Sequence, residues 1–167
     1  MCIRDRRFAG LNRKTLLIDA DIRLPTFNKL HTNTIGLSGL LTSTANPEDH
    51  IISSQFSNLD LLIAGPSVPN PSEILSTYRM DEILDFAREK YEHIIIDSPP
   101  VLGLADAPIL SQKSDNTLVV VESEAIRTPD VRETLNRLIN NKAKVLGVIL
   151  SKYKARRAGY YLSLIHI

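Results

Sequence analysis

The chain has one cysteine, Cys2, which excludes an internal disulfide and fits a reducing compartment such as the cytoplasm. Its histidines stand at 31, 50, 93 and 166 without metal-ligand spacing, so nothing supports a zinc site. No apolar run approaches the roughly 18–20 residues that a membrane-spanning helix needs. No internal repeat is present. Charges of the two signs nearly cancel, at a net +1, so charge alone implies no general affinity for nucleic acid or membrane. The seven glycines stand at 10, 36, 39, 65, 103, 147 and 159, and no two are five apart. The phosphate-cradling pattern G-x-x-x-x-G-K-[ST] is therefore absent, and so is G-x-G-x-x-G.

What is present suits one globular domain. A length of 167 residues buries a sizeable core, and 43% hydrophobic with 23% charged residues is ordinary for a soluble fold. The stretch that organises the rest is Lys14–Arg23, KTLLIDADIR. Leu16-Leu17-Ile18 is a short apolar run that ends abruptly at Asp19-Ala20-Asp21. Such a run predicts a strand buried on both faces of a parallel sheet. Ligands of such sheets sit beyond the carboxyl ends of the strands, where a carboxylate holds Mg²⁺ or accepts a proton without being a buried charge. Asp19 and Asp21 are two residues apart, so an extended chain presents them on one side.

A second stretch has the same design. In His93–Pro100, HIIIDSPP, three isoleucines run into Asp97 and then a turn forced by Pro99-Pro100. Any one of these aspartates alone reads as an ordinary strand-end turn residue. Three of them on two matched strands point to one nucleotide–Mg²⁺ site at one sheet edge.

These residues carry a family resemblance. LLIDADIR resembles the second acidic motif of the bacterial tyrosine kinases of the exopolysaccharide and capsule family, a branch of deviant P-loop ATPases. IIIDSPP resembles their Walker B motif. AGPSVPNPSEIL, Ala64–Leu75, is similar to their Gly-Pro…Pro-Asn-Pro…Glu-Leu-Leu segment, and Arg79-Met80 follows in place. The resemblance runs from about Phe8 to about Tyr161. There are departures: Leu24 replaces the second arginine of the usual Asp-Ala-Asp-Leu-Arg-Arg-Pro, and Ser151 stands where the family has asparagine for adenine contact. The largest departure is the absent phosphate loop, with its lysine and its Mg²⁺-ligating hydroxyl.

The remaining chain reads as follows. Phe8–Asn12 looks like the end of a helix, and Pro25 starts a helical turn through Leu30. Short helices are expected over Ile35–Leu41 and Asn46–Ile52, and a strand over Leu59–Ala64. Gly36-Leu37-Ser38-Gly39 is one residue short of a nucleophile elbow. Asn70-Pro71-Ser72-Glu73 predicts a helix start with a capping box, a structural use that suffices without function. Apolar positions 80, 83, 84, 87 and 91 predict an amphipathic helix whose charges are a solvated face. A helix over Asp106–Lys113, a buried strand over Asn116–Glu122, a helix capped by Thr128, with apolar positions 131, 135, 138 and 139, and a last strand over Lys144–Leu150 complete the pattern.

Five strands alternating with helices predict an α/β, doubly wound domain with a mainly parallel sheet. The resemblance makes it P-loop-NTPase-like with the N-terminal phosphate-loop strand missing. That strand lies in the middle of the sheet in this superfamily, so the chain as written is expected to be inactive and marginally folded. The domain is expected over residues 7–161. Residues 1–6 and 162–167, MCIRDR and LSLIHI, resemble translated adapter sequence and are expected to be non-native ends.

The resemblance implies an ATP-dependent protein-tyrosine autokinase that regulates capsular or exopolysaccharide polymerisation and export. ATP and Mg²⁺ are the implied cofactors. Asp19, Asp21 and Asp97 are the implied catalytic residues, with Asp21 and Asp97 on the metal and Asp19 as base for the incoming hydroxyl. Arg23 and Ser151 are implied nucleotide contacts. Tyr153, Tyr160 and Tyr161, in the basic tail KYKARRAGYY, are either phosphoacceptors or part of a plain basic tail. Implied partners are neighbouring copies of the chain and a membrane polysaccharide co-polymerase or activator segment, at the inner face of the cell membrane; no nucleic acid is implied. Two other readings stand: a partitioning or septum-site ATPase switch of the same superfamily, and a non-catalytic remnant that only binds partners.

Overall fold

The computed structural model describes residues 13–26 and 34–153. The expected helix end over 8–12 and most of the turn after Pro25 lie outside these. The first strand, β1 (Thr15–Asp19), is buried along its whole length. Its apolar run explains this: Leu16 and Ile18 face one core cluster while Leu17 faces a second on the opposite side of the sheet. Each such side chain contributes about 1.5–3 kcal/mol on burial.

Helix α1 (Gly36–Leu41) follows, then a 3-10 turn (Pro47–His50), the two-residue strand β2 (Ile52–Ser53) and strand β3 (Leu59–Leu62). The helix expected over 46–52 is thus only its first part. Pro47 starts the turn and Asn46 caps it, but Ile52 leaves to pair antiparallel with Leu61. Helices α2 (Pro71–Ser76) and α3 (Tyr78–Lys90) come next. In α3 the buried residues are Met80, Ile83, Leu84 and Ala87, the predicted stripe. The capping box is not made. Asn70 instead donates its side-chain amide to Glu73 Oε2 at 3.1 Å.

Strand β4 (His93–Asp97), helix α4 (Asp106–Lys113), strand β5 (Thr117–Glu122), helix α5 (Thr128–Asn140) and strand β6 (Val145–Ser151) end the described chain. Thr128 is the first residue of α5 rather than its cap. The capping position falls to Arg127, whose guanidinium binds Asp130.

The strands form two sheets. β1 lies between β3 and β4, parallel to both, with β2 antiparallel at the β3 edge, in the order β2-β3-β1-β4. β5 and β6 pair parallel with each other. Among the described residues nothing pairs with the second edge of β4 or of β5. β5 is therefore not the buried strand its sequence predicts. Val119 is buried, but Leu118 and Val120, with Leu146, Val148 and Leu150 of β6, are each between 41% and 69% exposed. An apolar run is buried on both faces only when the sheet is covered on both sides and continued at its edges.

One close approach shapes the region beyond β3. Gly36 and Gly65 both have positive φ, +60° and +80°. A Cβ on Gly65 would stand 2.2 Å from the Ile35 carbonyl oxygen. This contact lets Leu37 and Ser38 donate their amides to the carbonyls of Ile63 and Ala64 at 2.7 and 2.9 Å, which satisfies the start of α1. Ser38 Oγ donates to the Pro66 carbonyl at 2.7 Å, which ties the start of α1 to the loop after β3.

Candidate functional site

Parallel pairing of β1 with β4 puts their carboxyl ends on one edge, in register: Asp19 is the partner of Asp97. The Ala20 amide donates to the Asp97 carbonyl at 2.8 Å and holds the two ends together. The side chains differ in surroundings. Asp19 is 1% exposed, and Asp97 is exposed.

Asp19 organises the loop that follows it. Its Oδ1 accepts the Asp21 amide at 3.2 Å and its Oδ2 accepts the Thr26 amide at 3.0 Å. Asp21, half-buried, accepts the Leu24 amide at 2.9 Å. Short acidic side chains commonly close turns in this way. The same bonds keep the buried Asp19 carboxylate supplied with donors, as a buried charge requires.

Arg23, an implied nucleotide contact, is engaged by Asp106 within the chain. Its Nε donates to Asp106 Oδ2 at 2.6 Å and its Nη2 to Asp106 Oδ1 at 3.2 Å, a two-pronged pair. Nη2 also donates to Ser72 Oγ at 3.2 Å, and Ser72 Oγ donates in turn to Asp106 Oδ1. Asp106 is 1% exposed, at the first position of α4. Burial alone would raise its carboxyl, but hydrogen bonds from Arg23 and Ser72 and the charge of Arg23 outweigh burial and hold it below the usual carboxylate range. Arg23 is correspondingly raised, chiefly by its bond to Asp106. The network ties the loop after β1 to the starts of α2 and α4. The sequence hinted at neither partner. Ser72 sat inside a helix start, and an acidic residue in a first helical turn is already accounted for by the helix dipole.

Ser151 ends β6, on the two-stranded sheet. Its hydroxyl donates to the Val121 carbonyl at 3.1 Å, and its carbonyl accepts the Ser123 amide at 2.9 Å. Tyr153 is 52% exposed, while Tyr160 and Tyr161 lie outside the described residues. The structure thus brings Asp19, Asp21 and Asp97 to one edge, turns Arg23 toward Asp106, and leaves Ser151 on the other sheet. Among the described residues no group of three His, Cys, Asp or Glu converges as a complete metal cage would. Mg²⁺ needs no such cage, since it is commonly held by one or two carboxylates with phosphate oxygens and water. Asp21 and Asp97 fit that chemistry.

A family model described as an AAA domain matches residues 6–148. The tyrosine-protein kinase YwqD of Bacillus subtilis is 36% identical over 162 residues, which cover 92% of this chain and 67% of that protein. The crystal structure of the VpsO kinase domain superposes with a TM-score of 0.82 at 35% identity, covering 90% of this chain and 75% of that one. The septum site-determining protein MinD of Pyrococcus horikoshii, solved with Mg-ADP, gives a TM-score of 0.72 at 23% identity over 92% of this chain and 63% of its own. That last likeness is one of fold alone.

Proposed function

The chain belongs to the AAA-domain family and, within it, to the bacterial tyrosine-protein kinases, and on that premise we propose that it is the acidic-edge portion of an ATP-dependent tyrosine autokinase acting in capsular or exopolysaccharide polymerisation and export. The observation that carries this reading is the register of Asp19 with Asp97 at the carboxyl edge of two parallel strands. Nothing in the 167 residues supplies a phosphate loop, so the activity is placed in a protein that provides one.

Mg²⁺ bound with the nucleotide would supply charge neutralisation on the β- and γ-phosphates. Asp97 and Asp21 would hold it from the protein side. Phosphoryl transfer asks for positioning and charge balance more than for covalent chemistry, and a rigid edge of carboxylates suits that need. Asp19 supports the site differently from the base role its position suggests. A phenol would have to reach a carboxylate 1% exposed and already bonded to two amides. Its part in this reading is to position the loop that carries Asp21. Arg23 has a similar supporting part through Asp106.

The acceptors would be tyrosines of a neighbouring copy, drawn from Tyr153, Tyr160 and Tyr161, and a membrane co-polymerase segment would be the activating partner. That would place the protein at the inner face of the membrane. No helix among the described residues is long and apolar enough to cross one.

The test is to join this chain to an upstream phosphate-loop segment and measure tyrosine phosphorylation with Mg²⁺-ATP. Incorporation that disappears in an Asp97→Asn variant supports the reading. Undiminished incorporation in that variant overturns the site. With Tyr153, Tyr160 and Tyr161 all changed to phenylalanine, mass spectrometry should find little remaining phosphotyrosine; an unchanged load elsewhere removes the tail as acceptor.

A further inference from the structure

The two carboxylates assigned to Mg²⁺ stand on separate loops. Asp21 lies in the loop after β1, while Asp97 ends β4 and opens the stretch 98–105, which has no regular structure. The strand register and the Ala20 amide on the Asp97 carbonyl tie the two loops at their base. A second tie lies further out. Arg23, two residues beyond Asp21, holds Asp106, where the stretch 98–105 enters α4.

The chemistry of the second tie makes it rigid. Nε and Nη2 lie on one edge of the guanidinium, and each takes a different oxygen of Asp106. A planar fork on a carboxylate has one orientation, where an ammonium would pivot. Ser72 Oγ accepts from Nη2 and donates to Asp106 Oδ1, so it braces the pair from the start of α2. Asp106 is sealed from solvent, at 1% exposed, while the Arg23 side chain is 35% exposed. Release of Arg23 would strand a buried carboxylate without its cation, which is strongly unfavourable. Arg23 is therefore an anchor, not a side chain that swings out to meet a nucleotide. Besides its bond to Asp106, its guanidinium feels the charge of Asp21, so the anchor stands beside the ligand it would steady.

The metal is what needs such rigidity. Mg²⁺ demands near-octahedral geometry with ligands at about 2.0–2.1 Å. Two carboxylates on separate loops meet that demand only while the loops keep their spacing. We propose that Arg23, Asp106 and Ser72 form a clamp that sets the spacing of Asp21 and Asp97, with Asp106 and Ser72 as positioning residues for the divalent cation carried by the nucleotide. The clamp rests on the reading of Asp21 and Asp97 as Mg²⁺ ligands, and extends it to two residues outside the acidic motifs.

The test uses the chain joined to an upstream phosphate-loop segment, in wild-type form and as Ser72→Ala, Arg23→Lys and Asp106→Asn. Ser72→Ala disturbs folding least, because it removes one hydroxyl from a half-buried position. Mg²⁺ is titrated by calorimetry into protein holding one equivalent of ADP, and the phosphorylation rate is measured against free Mg²⁺ at saturating ATP. Each variant should bind Mg²⁺ about tenfold more weakly, the low end for residues that hold metal ligands in place. The half-saturating Mg²⁺ should rise by about the same factor, and at saturating Mg²⁺ the rate should return to within about twofold of wild type with KM for ATP unchanged. Three results each overturn the clamp. The first is wild-type Mg²⁺ affinity in Ser72→Ala and Arg23→Lys, even with a lowered Tm, which would leave a merely structural brace. The second is a loss of rate that excess Mg²⁺ does not restore. The third is a raised KM for ATP in Arg23→Lys with normal Mg²⁺ dependence, which would make Arg23 the nucleotide contact. Undiminished phosphorylation in Asp97→Asn is a separate outcome: it removes the Mg²⁺-ligand reading and the clamp with it, whereas the other three leave that reading standing.

Discussion

Asp19 and Asp97 are register partners on adjacent parallel strands, yet one is sealed beneath its own loop and the other stands at the surface. The difference separates two jobs that the motifs alone do not distinguish. Asparagine at position 97, on an exposed side chain, should cost less stability than asparagine at the buried position 19. In a protein supplied with a phosphate loop, it and Asp21→Asn should each lower Mg²⁺-dependent phosphorylation by about 100-fold or more. Asp19→Asn should behave differently. Its amide group can no longer accept both the Asp21 and Thr26 amides, so stability should fall by about 1–3 kcal/mol. Equal Tm for the Asp19 and Asp97 variants would contradict this division.

The Arg23–Asp106–Ser72 network makes a pH-dependent contribution to stability. The folded-state carboxyl of Asp106 is held below its unfolded value. Its stabilisation is therefore complete above the unfolded pKa, near ~3.9, and is lost as pH falls through the lower folded value. Asp106→Asn should cost about 1–3 kcal/mol at neutral pH. Unfolding curves taken from pH 6 to pH 2 should show a gap between wild type and variant that narrows only below about pH 4. A gap of constant size would mean that Asp106 does not titrate between the two states.

Tyr91 gives the opposite signature at the alkaline end. Burial, and then a hydrogen bond to Asp60 Oδ2 at 2.9 Å with the charge of that carboxylate, push the phenol well above its ordinary value. A raised pKa stabilises fully below the unfolded value of about 10 and is lost as pH rises toward the folded one. Tyr91→Phe should cost about 1 kcal/mol at pH 7 and should remove this part of the alkaline destabilisation. Urea titrations at pH 7 and near pH 11 measure both effects.

Gly65→Ala tests the seam between α1 and the end of β3. The residue has φ of +80°, and a Cβ would meet the Ile35 carbonyl oxygen at 2.2 Å and Ser38 Oγ at 2.8 Å. The strained dihedral alone costs about 1–3 kcal/mol, and the backbone contact adds to it. Gly103→Ala is the comparison. That glycine also has positive φ, +86°, but open space around it, so its loss should be the smaller of the two.

Much of the frame was legible in the residues. Leu16-Leu17-Ile18 and Ile94-Ile95-Ile96 announced two neighbouring strands, of which the first is buried throughout and the second is half-buried at the sheet edge, and the carboxylates after them marked which end of the sheet to examine. The stripe at 80, 83, 84 and 87 announced α3, and Asp106–Lys113 formed the helix that its pattern implied. These elements share a property. Their signal, an unbroken apolar run or a stripe at 3.6-residue spacing, is written in neighbouring positions.

β2 was hidden because a two-residue edge strand has no period to detect; its partner, Leu61, makes it. β5 carried the apolar run of a buried strand, but exposure depends on what covers a face, and here part of that face is open. The sharpest case is Arg23. The family resemblance made Arg23 an implied nucleotide contact. The fold brought Asp106, 83 residues away, to within 2.6 Å of it. Residue order determined where the carboxylates lie along their strands. Only the tertiary structure decided which of them face solvent and which cation is already engaged, because charge pairing follows distance in space, and distance is set by how helices α2 and α4 pack against each other beside the loop after β1.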